Sequence, residues 1–452
     1  MPSKKTALSL ALCAALAGCA SVQPEKGKDS LDQVAQQQAA TVLVWQDDSE
    51  AQQKIDQVIH ESLAAPLSLQ QAVKIALLNN PGLRAELQKI GVAQADLASA
   101  SAIGNPLFSA ARLTSADTTQ LSMSLEFNFL NLILLPQRKR IAEYEFEQSR
   151  LEVAQQILDL SYQVKQAWYE AVAQAQQEEL MQTVMQATEA ASRLAYKQLM
   201  AGTGTKREQA RKQLFFNKAK QAWLLAKADN YAAKEKLNRL LGFRDDAAAL
   251  NLPGHLPELP AQRPDVADLT QQTLKNRFDI EAARQKVTQY QKELGIARSE
   301  VLLSDTSVGA EVEKSTGEAT TKGPALSIGV PISDTGSAAK YRTQALLRQS
   351  EFALAATQSN ALSEARAAQA VLQARYDVAQ RQQQVVLPLN NSILVETQLR
   401  YNGMLSGVYD LLEDRQNEVE AASEYITMLK EFWLADAELN HVMGGVSHAT
   451  VK

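Results

Sequence analysis

The chain has 452 residues, 45% hydrophobic and 21% charged, with 46 Lys and Arg against 51 Asp and Glu for a net charge of −5. That balance argues against nucleic-acid binding, which shows as a basic patch. The two Cys both lie in the first 19 residues, so the remainder cannot hold a disulfide framework.

The N-terminus has the layout of a secretory signal: Lys4 and Lys5, then an apolar run from Ala7 to Leu16. Leu16-Ala17-Gly18-Cys19 resembles the bacterial lipoprotein signal. The resemblance implies cleavage after residue 18, a lipid on Cys19 and, with Ala20 rather than Asp following, sorting to the outer membrane. Residues 19–66 are rich in Gln, Asp, Glu and Lys and read as an extended lipidated arm. One apolar patch, Thr41 to Trp45, interrupts it and is expected to dock on the body.

The body repeats itself. Leu77-Leu78-Asn79-Asn80 matches Leu274-Lys275-Asn276-Arg277, and each precedes a helical run, Leu83 to Ile103 and Ile280 to Val301. Leu237-Asn238-Arg239-Leu240-Leu241-Gly242 pairs with Leu439-Asn440-His441-Val442-Met443-Gly444, with Trp223 and Trp433 ahead of the two ends. The offsets of 197 and 202 residues point to a duplicated half rather than a short-repeat solenoid. The halves are taken as residues 67–250 and 267–445, joined by a linker at 251–266 containing Pro253, Pro257, Pro260 and Pro264 and followed by a tail at 446–452.

Each half carries a β-hairpin. In the first (107–129), Leu107 to Leu113 is followed by a turn near Ser115-Ala116-Asp117. Leu121, Met123, Leu125, Phe127 and Phe129 then alternate with Ser122, Ser124, Glu126 and Asn128. In the second (306–332), Val308, Ala310 and Val312 alternate with Gly309, Glu311 and Glu313. Past a turn around Gly317, Leu326, Ile328, Val330 and Ile332 alternate with polar or small residues. Such segments fit a transmembrane barrel wall, or equally one sheet packed on helices. Four strands cannot close a barrel of about eight or more, and open edges are not tolerated in lipid. If they span a membrane, chains must associate, and three would supply twelve strands.

Residues 137–201 contain neither Gly nor Pro, and a helix of that length would span roughly 95 Å. Recurring charges such as Arg138, Lys139, Arg140, Glu143 and Glu145 rule out a membrane-crossing helix there. Val153, Ile157, Leu160, Val164, Ala167 and Ala171 alternate steps of four and three, as in a coiled coil. A small polar break, Gly202-Thr203-Gly204-Thr205, separates this run from a second one, Lys206 to Leu241. The pattern predicts a long helix, a tight tip and a return helix. The second half repeats it, with Gly403 and Gly407 bracketing Met404, Leu405 and Ser406.

In this order the features resemble the TolC-like outer-membrane efflux proteins. They are the opening Ala72-Val73-Lys74-Ile75-Ala76-Leu77-Leu78-Asn79-Asn80-Pro81-Gly82-Leu83, the duplication, the two hairpins, the helix ends, and the tips Tyr196 to Gly202 with Arg211 and Tyr401 to Val408. The resemblance covers about residues 67–445. It implies a mainly α fold with a small β part: a homotrimer with a 12-stranded barrel in the outer membrane and a periplasmic α-barrel of long antiparallel hairpins. It also implies a duct for small molecules or ions, fed by an inner-membrane pump through a periplasmic adaptor (membrane fusion) protein. The alternative is an envelope-spanning structural coiled-coil lipoprotein without transport.

The resemblance makes Gly202, Thr203, Gly204, Gly403, Met404, Leu405, Ser406 and Gly407 the adaptor-binding tips. The glycines are expected to supply the positive φ of tight turns. Asp410, Glu413 and Asp414 would place carboxylate rings near a tunnel entrance, or equally form an acidic first helical turn. The family's Gly-x-x-Ser-x-x-Asp pattern is met at Gly403 and Ser406, but Asp410 comes one residue late. No nucleophile motif, phosphate loop or dinucleotide fingerprint is present. The four His (His60, His255, His441 and His448) have no metal-ligand spacing. The expectation is a non-enzyme without metal or cofactor other than the lipid on Cys19.

Overall fold

The structure is a computed structural model and describes residues 22–45, 49–243, 250–302, 306–330, 332 and 335–445. Cys19 lies outside the described residues. The described elements run α1 (Lys28–Ala39), α2 (Ser49–Leu63), α3 (Leu69–Asn79), α4 (Pro81–Ala100), β1 (Leu107–Thr114), β2 (Thr119–Asn128), α5 (Phe129–Met200) and α6 (Lys206–Leu241). Then come α7 (Leu269–Asn276), α8 (Phe278–Leu302), β3 (Thr306–Ser315), β4 (Thr321–Ile328), α9 (Ser337–Arg381), a π-helical turn (Gln382–Val386), α10 (Leu387–Asn402) and α11 (Val408–Val442). Among the described residues, no helix is long and apolar enough to cross a membrane.

The chain divides into two compact units. One holds the described residues 22–29 with Glu86–Ala154 and Phe278–Ser359. It contains a four-stranded antiparallel sheet in the order β1-β2-β3-β4. The two sequence-predicted hairpins thus join through β2 and β3, with Leu125 opposite Ala310 and Phe127 opposite Val308. Gly309 is needed at this junction, because a Cβ there would collide with the Leu125 carbonyl oxygen. Beside the sheet, Leu130, Leu134 and Ile296 form a small core, extended by Ile141. Arg138 pairs with Glu300 at 3.0 Å. The Gln289 amide donates to Glu145 and to Glu293, both at 2.8 Å.

The other unit holds Ser30–Ala85, Gln155–Arg277 and residues from Asn360 onward. Its core, largely aliphatic, includes a run of aromatic rings. Tyr376, Phe432, Trp433, Tyr169 and Trp168 follow one another with ring centroids 5.0–5.9 Å apart, a spacing that suits edge and offset packing. The polar edges of these rings bind connecting segments: Trp168 Nε1 donates to the Leu67 carbonyl (2.8 Å), Trp433 Nε1 to Pro257 (2.9 Å) and Tyr376 OH to Pro260 (3.1 Å). Proline carbonyls, lacking a strand or helix partner, thereby find donors.

The duplicated motifs meet each other. Asn79 Nδ2 donates to Leu241 O and Asn80 Nδ2 to Leu240 O (2.9 and 2.8 Å), while Arg277 Nη1 donates to Val442 O (3.3 Å). Each contact satisfies terminal carbonyls of a long helix. Gly242 and Gly444 both sit in the left-handed region at φ 81° and 85°. A Cβ on either would lie 2.5 Å from the carbonyl oxygen of Asn79 or Asn276, respectively. Glycine is required twice, at equivalent places, for close approach.

Four expectations need correction. Lys28–Ala39 and Ser49–Leu63 are not extended: they form α1 and α2, with Leu31, Val34, Ala35 and Ile55 buried. Their apolar residues recur at helical spacing, and that burial outweighs the polar composition. The patch at Thr41 to Trp45 docks on α1, where Asp32 accepts from the Leu43 N–H (2.9 Å) and from Trp45 Nε1 (3.3 Å).

Helix α5 begins at Phe129, before Pro136 rather than after it. Burial of Leu130 and Leu134 outweighs the hydrogen bond that proline removes. Strand β4 ends at Ile328, so Val330 and Ile332 continue the alternation beyond the ladder. Finally, the stretch from α9 to α10 is not one regular helix. Pro388 cannot donate to the preceding turn, a π-helical turn precedes it, and the buried Gln382 amide donates to Ala421 O at 3.0 Å.

Candidate functional site

Both tips belong to the second unit, at the end of two antiparallel helix pairs. Ser192 and Asn230 of the first pair donate to Gln213 and Glu178 (2.9 and 2.6 Å), which fixes α6 alongside α5. α11 runs antiparallel to α5 through Gln177–Ser423 (2.6 Å), Lys430–Glu170 (3.3 Å) and His441–Asp159 (2.8 Å), together with a Tyr162–Glu438 hydrogen bond. Burial opposes ionisation of Asp159. The His441 and Gln155 hydrogen bonds outweigh that effect and hold its carboxyl below the usual range.

At the first tip, α5 closes on one carbonyl. Gln198 O accepts from the Thr203 and Gly204 N–H groups (2.9 and 3.1 Å) and from Thr203 Oγ1 (3.2 Å). Gly202 takes φ 73°, the left-handed position that ends a helix and favours glycine. Gly204 serves by its small size: a Cβ would lie 3.1 Å from the Leu199 nitrogen. Thr205 then caps α6, its hydroxyl accepting from the Glu208 N–H at 3.1 Å.

The second tip uses different residues from those expected. Gly403 sits at φ −80° and Gly407 at φ −81°, neither in the left-handed region. Met404 takes that conformation instead, at φ 60°, and lets the Leu405 N–H reach Arg400 O at 2.8 Å. The expectation of positive φ therefore holds for Gly202 alone of the four tip glycines and is wrong for Gly204, Gly403 and Gly407. The turn leaves Met404 94% and Leu405 82% exposed.

Asp410 is part of this turn. One carboxylate oxygen accepts from Ser406 Oγ (2.7 Å) and from the Gly407 N–H (3.0 Å), and these bonds hold its carboxyl below the ordinary value. Glu413 is exposed and Asp414 half-buried on the following turn of α11. The structure thus gives Asp410 a definite local task, capping α11, that its spacing in sequence only hinted at.

Between the two tips lies a groove of about 250 Å³, lined by Arg211, Leu214 and Phe215 of α6 and by Val408, Tyr409 and Leu412 of α11. The Arg211 guanidinium stands 4.6 Å from the Tyr409 ring centroid, a cation–π geometry. Sequence reasoning noted Arg211 but missed its partner; an aromatic directly after the second turn was the available signal. No group of His, Cys, Asp or Glu that could hold a metal occurs among the described residues.

No protein-family profile and no curated protein matches the sequence. Solved structures do resemble the fold. The outer-membrane channel CmeC of Campylobacter jejuni superposes with a TM-score of 0.71 at 16% identity, covering 83% of this chain and 85% of that one. The open state of the outer-membrane channel MtrE of Neisseria gonorrhoeae gives 0.68 at 17%, covering 85% and 91%. The outer-membrane protein VceC of Vibrio cholerae gives 0.68 at 18%, covering 83% and 96%. The chain has the fold of these outer-membrane channels, as its resemblance to TolC-like proteins implied.

Proposed function

We propose that this chain, with the fold of an outer-membrane channel, is the outer-membrane duct of a tripartite efflux system and not an enzyme. Three copies would close a 12-stranded barrel, with the long helices as the periplasmic tunnel. A lipid on Cys19 would anchor each N-terminus in the outer membrane. The tips would meet a periplasmic adaptor fed by an inner-membrane pump, and the cargo would be small molecules or ions.

The observation that carries this reading is the sheet. Among the described residues its two outer strands, β1 and β4, have no partner on one side, and Phe108, Leu125, Val308, Leu326 and Ile328 stand exposed on one face. An exposed apolar face marks a surface that meets lipid or protein, and in lipid the edges must close. The strands are 8–10 residues long, close to the 9–11 that cross a bilayer. An envelope spacer needs neither feature.

Met404 and Leu405 are the natural adaptor contacts, because the turn holds both away from any core. Leu405→Glu tests the reading. Cross-linking to the adaptor and efflux should fall while trimer yield holds. Full cross-linking and efflux in that variant would place the contact elsewhere, and loss of the trimer would make Leu405 a packing residue.

A further inference from the structure

The register of the sheet sorts charge by face. Arg112 and Lys314 both lie opposite Leu121 on its two sides, and Lys322 pairs with Val312, two residues along β3 from Lys314. Strands lie about 4.8 Å apart, so Arg112 and Lys314 are roughly 10 Å apart across β2. All three are exposed. They share the face that carries Phe108, Met123, Leu125, Phe127, Val308 and Leu326, and no Asp or Glu falls on that face. The sheet's carboxylates, Glu126, Glu311 and Glu313, all fall on the opposite face.

Position along the strands matters as much as face. The three cations sit at the end where β1 turns into β2 and β3 into β4. Apolar side chains fill the rest except for Thr306, toward the end where the strands join α4, α5, α8 and α9. A cation at the midplane of a lipid-facing strand is costly, whereas near the interface it costs close to nothing. A largely apolar band ending in a cationic row is therefore the pattern of a surface that leaves hydrocarbon at a negatively charged headgroup layer.

We propose that Arg112, Lys314 and Lys322 bind the phosphate groups of an outer-leaflet glycolipid, with the neighbouring apolar residues against its acyl chains. This rests on the barrel reading above, which puts the hairpin turns on the far side of the membrane from the helices. Arginine suits phosphate by forked donation and lysine as a point charge, and the occupant is selected by charge complementarity. Trimer closure would repeat the cluster three times around the barrel.

The test uses the full-length protein in phosphatidylcholine nanodiscs doped with bisphosphorylated lipid A or with its phosphate-free form. Insertion is scored first by protection of the hairpins from protease. Lipid retained per complex is then read by native mass spectrometry. Wild type should retain the phosphorylated form selectively, and less so at high salt. The triple variant R112Q/K314Q/K322Q should lose on the order of fivefold per charge, about a hundredfold in all, while E311Q/E313Q retains the lipid as wild type does. Failure of wild type to insert overturns the barrel reading and this inference together. Insertion with equal retention of both lipid forms, or undiminished retention by the triple variant, overturns this inference alone. So does equal retention of phosphatidylglycerol per phosphate, which would mean that the face reads charge without reading the outer leaflet.

Discussion

At the second tip a methionine does what glycine does at the first. Met404 holds φ 60°, a conformation that costs an L-residue about 1–2 kcal/mol. Gly403 and Gly407, beside it, are in ordinary conformations with at least 3.6 Å of space around a notional Cβ. Gly403→Ala and Gly407→Ala are therefore expected to leave the tip intact. Met404→Gly should slow opening of the turn by removing about 1 kcal/mol of strain, whereas Gly202→Ala should speed opening at the first tip by a similar amount. Hydrogen exchange at the Leu405 and Thr203 amides measures both. Faster exchange at Leu405 in Met404→Gly would refute the strain account.

Asp410 gives the same turn a pH dependence. Its folded carboxyl is depressed below the ordinary 3.8 by the Ser406 hydroxyl and the Gly407 N–H. A depressed acid contributes stability that is present above its unfolded value and is lost as pH falls through its folded one. At pH 7, Asp410→Asn should leave the Gly407 end of α11 more open to protease than wild type. At a pH low enough to protonate the wild-type carboxylate as well, the two should be cut at similar rates. Equal cutting at pH 7 would mean that the cap contributes nothing to the tip.

At the scale of elements, periodicity made most of the fold legible. The Lys206 to Leu241 run is α6 to the residue; the alternation from Leu121 to Phe129 is β2 as far as Asn128, but Phe129 opens α5 instead of ending the strand. What escaped was tertiary. Burial of Leu130 and Leu134 carries a helix through Pro136, and α1 and α2 form because their few apolar residues find a core. The tips were legible as turns, since Gly and polar residues mark them, but backbone conformation is not written in composition. The positive φ of Met404 and the Arg211–Tyr409 contact had to be seen.

The facing of the sheet can be tested directly. Leu125 lies on the apolar face and Ser124 beside Glu311 on the other. Leu125→Arg should destabilise the assembled barrel by about 2–4 kcal/mol if it sits near the midplane. Ser124→Arg gains a carboxylate neighbour and should assemble normally. Heat-resistant oligomer in outer-membrane fractions measures both, and equal assembly of the two variants would contradict the facing.

At the scale of the molecule, the sheet sets the terms of assembly. Order β1-β2-β3-β4 with every pair antiparallel means that β1 and β4 run in opposite directions. The β4 of one copy can therefore pair with the β1 of the next in the same antiparallel sense, and every further copy adds four strands without a mismatch. Closure demands at least about eight strands, so two copies are the minimum and three give the twelve proposed here. Cysteines at the free edges count the copies. Ser109 or Ala111 on β1 and Ala325 on β4 share the polar face. Within one chain the two edges are three strand spacings apart, about 14 Å, beyond the reach of a disulfide. In the double variants Ser109→Cys/Ala325→Cys and Ala111→Cys/Ala325→Cys, mild oxidation in the membrane should give a ladder of one, two and three chains that stops at three for the pairing whose register fits. A ladder ending at two, or continuing past three, would replace the twelve-stranded barrel with a smaller or larger one. Absence of cross-links from both pairs and from single-residue shifts of them would show that these edges do not meet, and the barrel would fall with them.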